Sequence, residues 1–294
     1  MAAVASAKAA EFEGAVNIRH MIAEPRHLRP RAAKNTGPGV VELPSDGQRL
    51  AKCVAALKNC SRREAEQYIE GGWVSVNGQV VEEPQFRVTS QTIDIDKNAS
   101  LMELAAVTLL LHKPPGFDAM APLNAHRANL KPAQQLLAAD NHFAHDASGV
   151  RLLKRHLTKL EAGVPLETAA SGLVVFTQDW RVTRKLEEDA HLIEQELMVE
   201  VAGAVAPELL KRLNQGLLDG GQPLPTVKVS ASSSSDTSTT LRIALKGTHP
   251  GLIAYLCERV GLEIKTLKRI RIGRVSMTQL PMGQWRYLAE HERF

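Results

Sequence analysis

The chain has 294 residues, of which 44% are hydrophobic and 4% aromatic, and it carries a formal net charge of +4. This length and hydrophobic content suffice for two domains with apolar cores, and the basic charge suits a nucleic-acid partner without requiring one. The three cysteines are widely spaced, which excludes a disulfide framework and a zinc pattern and indicates a reducing compartment. No stretch approaches the roughly 18 apolar residues of a membrane span, and no signal or transit peptide is recognisable, so we expect a cytoplasmic protein.

Residues 1–45 are rich in alanine and carry scattered charge around Pro25, Pro30 and Pro38. We interpret this stretch as a flexible N-terminal extension, because its composition is that of a segment without a packed core. A more regular pattern begins at about residue 46.

Two short helices are predicted after the extension. Apolar residues recur at helical spacing at Leu50, Val54 and Leu57. Ser61 and Glu64 then form a capping box, in which the serine caps a helix and the glutamate at its third position reciprocates. This second helix is expected to end at Gly71-Gly72, since glycine commonly follows the last helical turn.

A β-hairpin follows the helices. The runs Trp73–Val76 and Gln79–Val81 have strand composition, and Asn77-Gly78 between them is a strong signal for a type I′ turn. Two helices and a hairpin make a small α+β module, which we assign to residues 46–96.

This module resembles the αL RNA-binding motif named after ribosomal small-subunit protein four. The matching residues are Arg49-Leu50-Ala51-Lys52, Ser61-Arg62-Arg63-Glu64-Ala65 and Val74-Ser75-Val76-Asn77-Gly78. In that family the basic side chains around the second helix face RNA, which implies RNA contacts for Arg49, Lys52, Arg62 and Arg63. Basic residues in a first turn oppose the helix dipole, which favours phosphate binding by Arg62 and Arg63, although a solvated first turn would explain them as well.

The larger part of the chain begins with a predicted strand at residues 107–112, which ends at the turn Lys113-Pro114-Pro115-Gly116. A short helix is expected at about residues 132–139. Three histidines, His126, His142 and His145, surround it. Their spacing fits no metal site, and we expect them on the surface.

The stretch from Pro165 to Thr177 combines a single acid with a buried strand. Glu167 precedes the small-residue step Ala170-Ser171-Gly172, and Leu173–Phe176 has the apolar composition of a core strand. A carboxylate at the mouth of such a strand is well placed for chemistry, because a rigid backbone positions it. The plainer alternative is a loop glutamate before a core strand.

Further elements follow along the C-terminal half. We expect helices at residues 181–190, 207–213 and 250–260, and strands at residues 197–201, 227–230, 240–245 and 263–272. The Ser/Thr-rich stretch 231–239 is expected to be a mobile surface loop. Because strands outnumber helices and pair mostly antiparallel, the predicted fold class is α+β, with a mixed, mostly antiparallel sheet in the larger domain.

Residues 104–290 resemble the synthase domain of RNA pseudouridine synthases of the RsuA/RluF type, the branch that joins this RNA-binding module to that domain. The family motif Arg-Leu-Asp-x-x-Thr-Ser-Gly-Leu is matched in frame by the residues from Pro165 to Leu173, and the family's Lys-Pro-x-Gly turn is matched at Lys113. Further residues stand at the family's spacing: Leu267, Arg269, Ile272, Gly273, Leu280, Gly283, Arg286 and Leu288.

The resemblance implies an enzyme that isomerises a specific uridine in ribosomal RNA to pseudouridine, without a metal or an organic cofactor. Glu167 stands at the position of the family's catalytic aspartate and would act as nucleophile or base. Lys113 and Arg269 are expected to contact RNA together with the basic residues of the module. The family also implies a monomer.

The sequence departs from the family pattern around this site. Glu167 replaces the aspartate, Pro165 replaces the arginine before it, and Leu197 stands where a base-stacking tyrosine is usual. The basic Asn-Arg-Gln-x-Arg-Arg-Met run of the family aligns with Pro250–Leu256, which has no basic residue. These departures keep a second hypothesis open, a catalytically impaired RNA-binding protein that retains the synthase fold.

Overall fold

The structure is a computed structural model that describes residues 47–101, 105–123 and 131–294. These residues belong to one compact unit, Asp46–Phe294, whereas a second unit, Met1–Ser45, lies outside the described residues. The extension predicted for residues 1–45 and the surface position predicted for His126 therefore lie outside them too. Among the described residues, no helix has the length and apolarity needed to cross a bilayer.

Two helices form the first part of the described chain, as the sequence predicts. Helix α1 (Leu50–Lys58) is followed by helix α2 (Arg62–Glu70). Glu64 N donates a hydrogen bond of 3.2 Å to the Ser61 hydroxyl, and Ser61 N donates one of 2.7 Å to the Glu64 carboxylate. This reciprocal pair confirms the capping box and satisfies two amides that lack partners within the helix.

The strands beside these helices are short. They are β1 (Gln48–Arg49), β2 (Val74–Val76), β3 (Gln79–Val80), β4 (Arg87–Val88) and β5 (Ile93–Ile95). The turn between β2 and β3 has φ angles of 52° at Asn77 and 80° at Gly78, and positive values at both positions fit the predicted type I′ turn. Apolar side chains from both helices and from β2 and β4 form a small core.

The rest of the chain is built on a large sheet. Its elements and the short strand pairs beside it are, in chain order, β6 (Thr108–Lys113), β7 (Phe117–Asp118), β8 (Lys131–Pro132), β9 (Glu161–Ala162), β10 (Ser171–Thr177), β11 (Glu194–Ala202), β12 (Leu218–Asp219), β13 (Gln222–Pro223), β14 (Val227–Ser234), β15 (Ser238–Lys246), β16 (Ile264–Ile272), β17 (Val275–Ser276) and β18 (Trp285–Tyr287). Helices α3 (Trp180–Glu188), α4 (Pro207–Gln215) and α5 (Leu252–Arg259) accompany them.

The large sheet has nine strands in the order β14-β15-β11-β16-β10-β6-β18, with β17 beside β16 and β9 beside β10. Strands β10 and β16 run parallel, and the other pairings of this sheet within the described residues are antiparallel. The α+β class with a mixed, mostly antiparallel sheet is therefore confirmed. Residues from α4 and α5 form one core against β11, β14 and β15, and a second core lies against β6, β10 and β18; Leu267 on β16 packs against both.

Two predictions of secondary structure are wrong. The Ser/Thr-rich stretch 231–239 is not a loop, because β14 and β15 run through it and leave only a tight turn around Ser235–Thr237. Its hydroxyls support the pairing: the Ser234 and Thr239 hydroxyls are 3.0 Å apart, and Thr239 also donates to Gly203 O. Residues 132–139 form 3₁₀ turns rather than an α-helix.

The seam between the two halves of the sheet is the short parallel contact of β10 with β16, where Ser171 pairs with Lys268 and Gly172 with Arg269. Gly172 has a φ of +119°, and a Cβ atom on it would lie 2.5 Å from Arg269 N and still closer to Arg269 O. Only glycine allows both this backbone conformation and this approach. The glycine of the small-residue step is therefore fixed by packing.

We expect Gly172→Ala to lower the free energy of unfolding by about 3 to 5 kcal/mol, since it combines backbone strain with overpacking. Gly149→Ala is the matched control: its φ is +70°, but a Cβ there meets no atom within 4 Å, so only about 1 kcal/mol of conformational cost is expected. Urea denaturation of both variants measures the difference. Equal losses would show that the seam is not closely packed.

A cluster of aromatic and histidine side chains ties β18 to residues 142–156. His156 Nδ1 lies 2.8 Å from the Tyr287 hydroxyl, and Tyr287 N donates a 2.8 Å hydrogen bond to Asp146. His142 contacts the same carboxylate at 2.9 Å and stacks on Trp285, with ring centroids 4.5 Å apart. His142 is therefore half-buried and not the surface residue that we predicted, because its ring completes this aromatic cluster.

Burial, assisted by the charge of Arg155, lowers the pKa of His156 to about 4 from its usual 6.5. The folded state thus favours neutral His156, and the stability it contributes is present above pH 6.5 and lost as the pH falls towards 4. The full loss is about 3 kcal/mol, at roughly 1.4 kcal/mol per pKa unit. We expect His156→Gln to flatten the fall of unfolding free energy between pH 6.5 and 4 in urea titrations; an unchanged slope would contradict this assignment.

Candidate active site at the seam of the sheet

Glu167 lies in the turn that leads into β10, beside the seam. Glu167 O accepts a 3.0 Å hydrogen bond from Ala170 N, which closes this turn. The half-buried side chain reaches across to the start of α5, where Gly251 N donates a 2.8 Å hydrogen bond to Glu167 Oε1. The amides at a helix N-terminus carry partial positive charge, and an acidic side chain is a suitable acceptor for them.

Arg269 lies buried beneath the carboxylate, with 1% of its surface exposed. Its guanidinium donates hydrogen bonds to Leu173 O at 2.8 Å, Pro165 O at 2.7 Å and Val164 O at 3.0 Å. The two residues that precede Leu166-Glu167 are thus held by one side chain. Burial lowers the pKa of Arg269 to about 9, and the negative charge of Glu167 opposes that shift by favouring the cation.

Lys113 holds the other side of the same turn. It is fully buried, and its ammonium donates to Ala170 O at 2.5 Å, Phe117 O at 2.9 Å and Thr168 O at 3.3 Å. Burial and the charge of Arg269 lower the pKa of Lys113 to about 8, whereas Asp118 and Glu167 raise it. The ammonium therefore stays mostly charged at neutral pH and cross-links the loop after β6 to the turn before β10.

The buried positions of Lys113 and Arg269 do not fit the RNA contacts that we expected of them. Each directs its charged group to backbone carbonyls inside the protein, so neither offers that group to a ligand at the surface. Sequence alone marks both residues as basic but does not reveal which carbonyl groups converge on them.

The space beside the carboxylate is small. A cavity of about 30 Å³ is lined by Pro165, Glu167, Leu197, Pro250 and Arg269, among others. Binding pockets for small molecules typically measure roughly 300 Å³ or more, so a nucleoside does not fit in this conformation. Leu197 is buried on β11 and packs in the core formed with α4 and α5.

The four basic residues predicted from the N-terminal module occupy an exposed surface. Arg49, Lys52, Arg62 and Arg63 are all exposed, on or beside α1 and α2. Arg62 forms a 3.0 Å ion pair with Glu66 one turn along the helix. These side chains can reach a phosphate backbone without rearrangement of the fold.

The N-terminal module is connected to the large domain by defined contacts. Arg151 donates a 2.9 Å hydrogen bond to Gly72 O and stacks its guanidinium over the Trp73 ring at 5.7 Å. Lys154 forms a 2.7 Å ion pair with Glu83. Sequence reasoning missed these contacts because no local pattern marks Arg151 or Lys154 as partners of residues about 70 positions earlier.

Glu167 supplies a carboxylate to this site. Within residues 47–101, 105–123 and 131–294, no group of three histidine, cysteine or acidic side chains is arranged to hold a metal ion. The carboxylate is flanked by a helix N-terminus and a buried guanidinium. Such a group can act as a nucleophile or base, or can stabilise a developing positive charge.

Comparison with known proteins gives two findings. Residues 48–93 match the S4 domain family. Three relatives align over most of the chain: an uncharacterized RNA pseudouridine synthase of Aquifex aeolicus (27% identity, covering 83% of this chain and 94% of the relative), the dual-specificity RNA pseudouridine synthase RluF of Escherichia coli K12 (27%, 85% and 78%), and the ribosomal large subunit pseudouridine synthase B of Bacillus subtilis (26%, 83% and 93%).

The matches agree with the two resemblances read from the sequence, in the same order along the chain. Residues 48–93 are an S4 domain, and the chain is a homologue of the RNA pseudouridine synthases of the RsuA/RluF type over most of its length.

Proposed function

We propose that this protein is an RNA pseudouridine synthase that acts on a specific uridine of ribosomal RNA, with Glu167 as its catalytic carboxylate. The observation that carries the proposal is the half-buried Glu167 carboxylate beside Gly251 N and Arg269, in frame with the family's catalytic aspartate. Its relatives of similar length are RNA pseudouridine synthases by name, which supports the reaction class.

The reaction needs only what this site contains. The bond from ribose C1′ to uracil N1 breaks, a bond from C1′ to uracil C5 forms, and the proton on C5 is replaced by one on N1. All atoms of the nucleotide are retained and no electrons are gained or lost, so no cofactor is consumed. Glu167 would either attack the ribose or remove a proton from it, and its negative charge would stabilise positive charge that develops at C1′.

Substrate entry requires a local opening of the site. A target nucleotide must leave its RNA helix and enter a pocket, which costs a few kcal/mol. The cavity of about 30 Å³ beside Glu167 is too small for it, so the side chains that line this cavity would have to move apart when RNA binds.

We also propose a division of labour along the chain. Residues 46–96 would bind RNA through Arg49, Lys52, Arg62 and Arg63, and residues 104–290 would carry out the isomerisation. Lys113 and Arg269 would hold the turn that carries Glu167 and would not contact RNA. A cytoplasmic protein fits this proposal, because the cysteines of the described residues are unpaired, as in a reducing compartment. The resemblance to the family implies a monomer.

One observation favours the second hypothesis, an RNA-binding protein without catalysis. Glu167 Oε1 is already occupied by Gly251 N, as a purely structural helix cap would be, and the adjacent space is closed. Catalysis and capping make different predictions for a variant that keeps the hydrogen bond and removes the charge.

Glu167→Gln is that variant. Its amide oxygen can still accept from Gly251 N, so we expect the free energy of unfolding to change by less than about 1 kcal/mol. The rate of pseudouridine formation in a single-turnover assay should fall about 10³-fold or more, because the reacting carboxylate is gone.

Asp179→Asn is the matched control for Glu167→Gln. Asp179 caps α3 by accepting a hydrogen bond from Arg181 N, and asparagine is an equally good cap. We expect its rate to stay within about twofold of the wild type. Undiminished activity in Glu167→Gln would disprove the catalytic role, whereas a wild-type protein that binds RNA and forms no pseudouridine would support the second hypothesis.

Arg62→Ala combined with Arg63→Ala tests the RNA-binding surface. We expect weaker binding of ribosomal RNA and a slope of log Kd against log salt that falls by about 1 to 2, since each lost phosphate contact releases roughly one fewer counterion. Arg181→Ala combined with Arg184→Ala is the control, because it removes the same charge from exposed positions on α3. Equal losses in both double variants would indicate a nonspecific charge effect.

A further inference from the structure

The side-chain amide of Gln195, on β11, connects to the candidate site through two hydrogen bonds. Gln195 is buried, with 6% of its surface exposed. Its Oε1 accepts a 2.9 Å hydrogen bond from Arg269 Nη1, and its Nε2 donates a 2.7 Å hydrogen bond to Gly247 O. No local sequence pattern marks this residue, because its partners lie 74 and 52 positions away.

The two hydrogen bonds place Gln195 between the supports of the catalytic turn. On one side Arg269 holds Pro165 O, immediately before Leu166-Glu167. On the other side Gly247 begins the segment that ends at Gly251, whose amide holds the Glu167 carboxylate. Together with the backbone segments 165–167 and 247–251, these hydrogen bonds form a closed ring that includes the Glu167 carboxylate. Gln195 joins the two halves of this ring.

An amide suits the chemistry of the two neighbours at this position. A guanidinium only donates and a carbonyl only accepts, so one residue must accept on one side and donate on the other without a net charge. A carboxylate would place negative charge against Gly247 O, and an ammonium would repel Arg269. An apolar side chain would leave a buried guanidinium N–H and a carbonyl without partners, which is costly.

We propose that Gln195 is a positioning residue for the reaction, fixing Arg269 and the segment 247–251 in the register that presents Glu167 to the nucleotide. This inference rests on the proposed function. Gln195 does not hydrogen-bond to the Glu167 carboxylate; it acts through Arg269 on one side and through Gly247 and the segment to Gly251 on the other. A displacement of the reacting group by about 1 Å can cost roughly 10²-fold in rate.

Gln178 provides a matched control at the opposite end of β10. Its Nε2 donates hydrogen bonds of 2.7 Å to Arg155 O and to Thr158 O, so it also cross-links backbone carbonyls. It is remote from Glu167, because β10 runs away from the catalytic turn towards it. Substitutions of Gln178 therefore report the structural cost of losing such an amide without disturbing the site.

The test compares Gln195→Met, Gln195→Glu, Gln178→Met and Gln178→Glu in single-turnover pseudouridine formation across pH. Gln195→Met should lower the maximal rate by roughly 10- to 100-fold, with a less than threefold change in the protein concentration at half-maximal rate. Gln195→Glu should move the acidic limb of the pH–rate profile to higher pH, because its charge would neutralise Arg269. The Gln178 variants should leave the maximal rate within about threefold and the profile unmoved, even where they lower the melting temperature.

The outcomes separate this inference from the proposed function. An active wild-type protein whose Gln195 variants match it in rate and profile would overturn the role of Gln195 and leave the function standing. An inactive wild-type protein would overturn the function. In that case hydrogen exchange at Gly251 N decides: exchange about tenfold faster in Gln195→Met than in Gln178→Met supports the anchoring of segment 247–251, and equal exchange overturns it.

Discussion

The buried guanidinium of Arg269 is the interaction on which the rest of the site depends. It lies where the two halves of the sheet meet, and its hydrogen bonds reach three backbone carbonyls and the Gln195 amide. A cation in the interior is costly unless its donors are satisfied, and here the backbone supplies the acceptors. The same arrangement places a fixed positive charge near Glu167 and holds the turn that carries it. One side chain therefore determines both the backbone position and the electrostatics at this site.

Packing at the seam and charge at the site support each other. Gly172 lets β10 approach the backbone of Arg269, which brings the guanidinium under the turn before β10. Lys113 fixes that turn from the opposite side. The cost of two buried cations is offset by carbonyl acceptors and by the charge of Glu167, to which Asp118 adds at Lys113.

Local signals in the sequence were sufficient for much of the fold. The capping box of α2, the Asn77-Gly78 turn and the apolar run of β10 depend on residues close together in the chain, and all three are present. The extension of β14 and β15 through the Ser/Thr-rich stretch 231–239 was missed, because it depends on cross-strand pairing and hydroxyl contacts that composition does not reveal. Glu167 could be singled out from its motif. Its hydrogen bond from Gly251 could not, because that contact joins residues 84 positions apart.

The most direct measurement is a map of pseudouridine in ribosomal RNA from a strain that lacks this gene, before and after incubation with the purified full-length protein. The account predicts new pseudouridine at one defined uridine, formed without added metal or cofactor. Tight binding of the same RNA with no new pseudouridine at any position would contradict it, and would make Glu167 a helix cap in an RNA-binding protein.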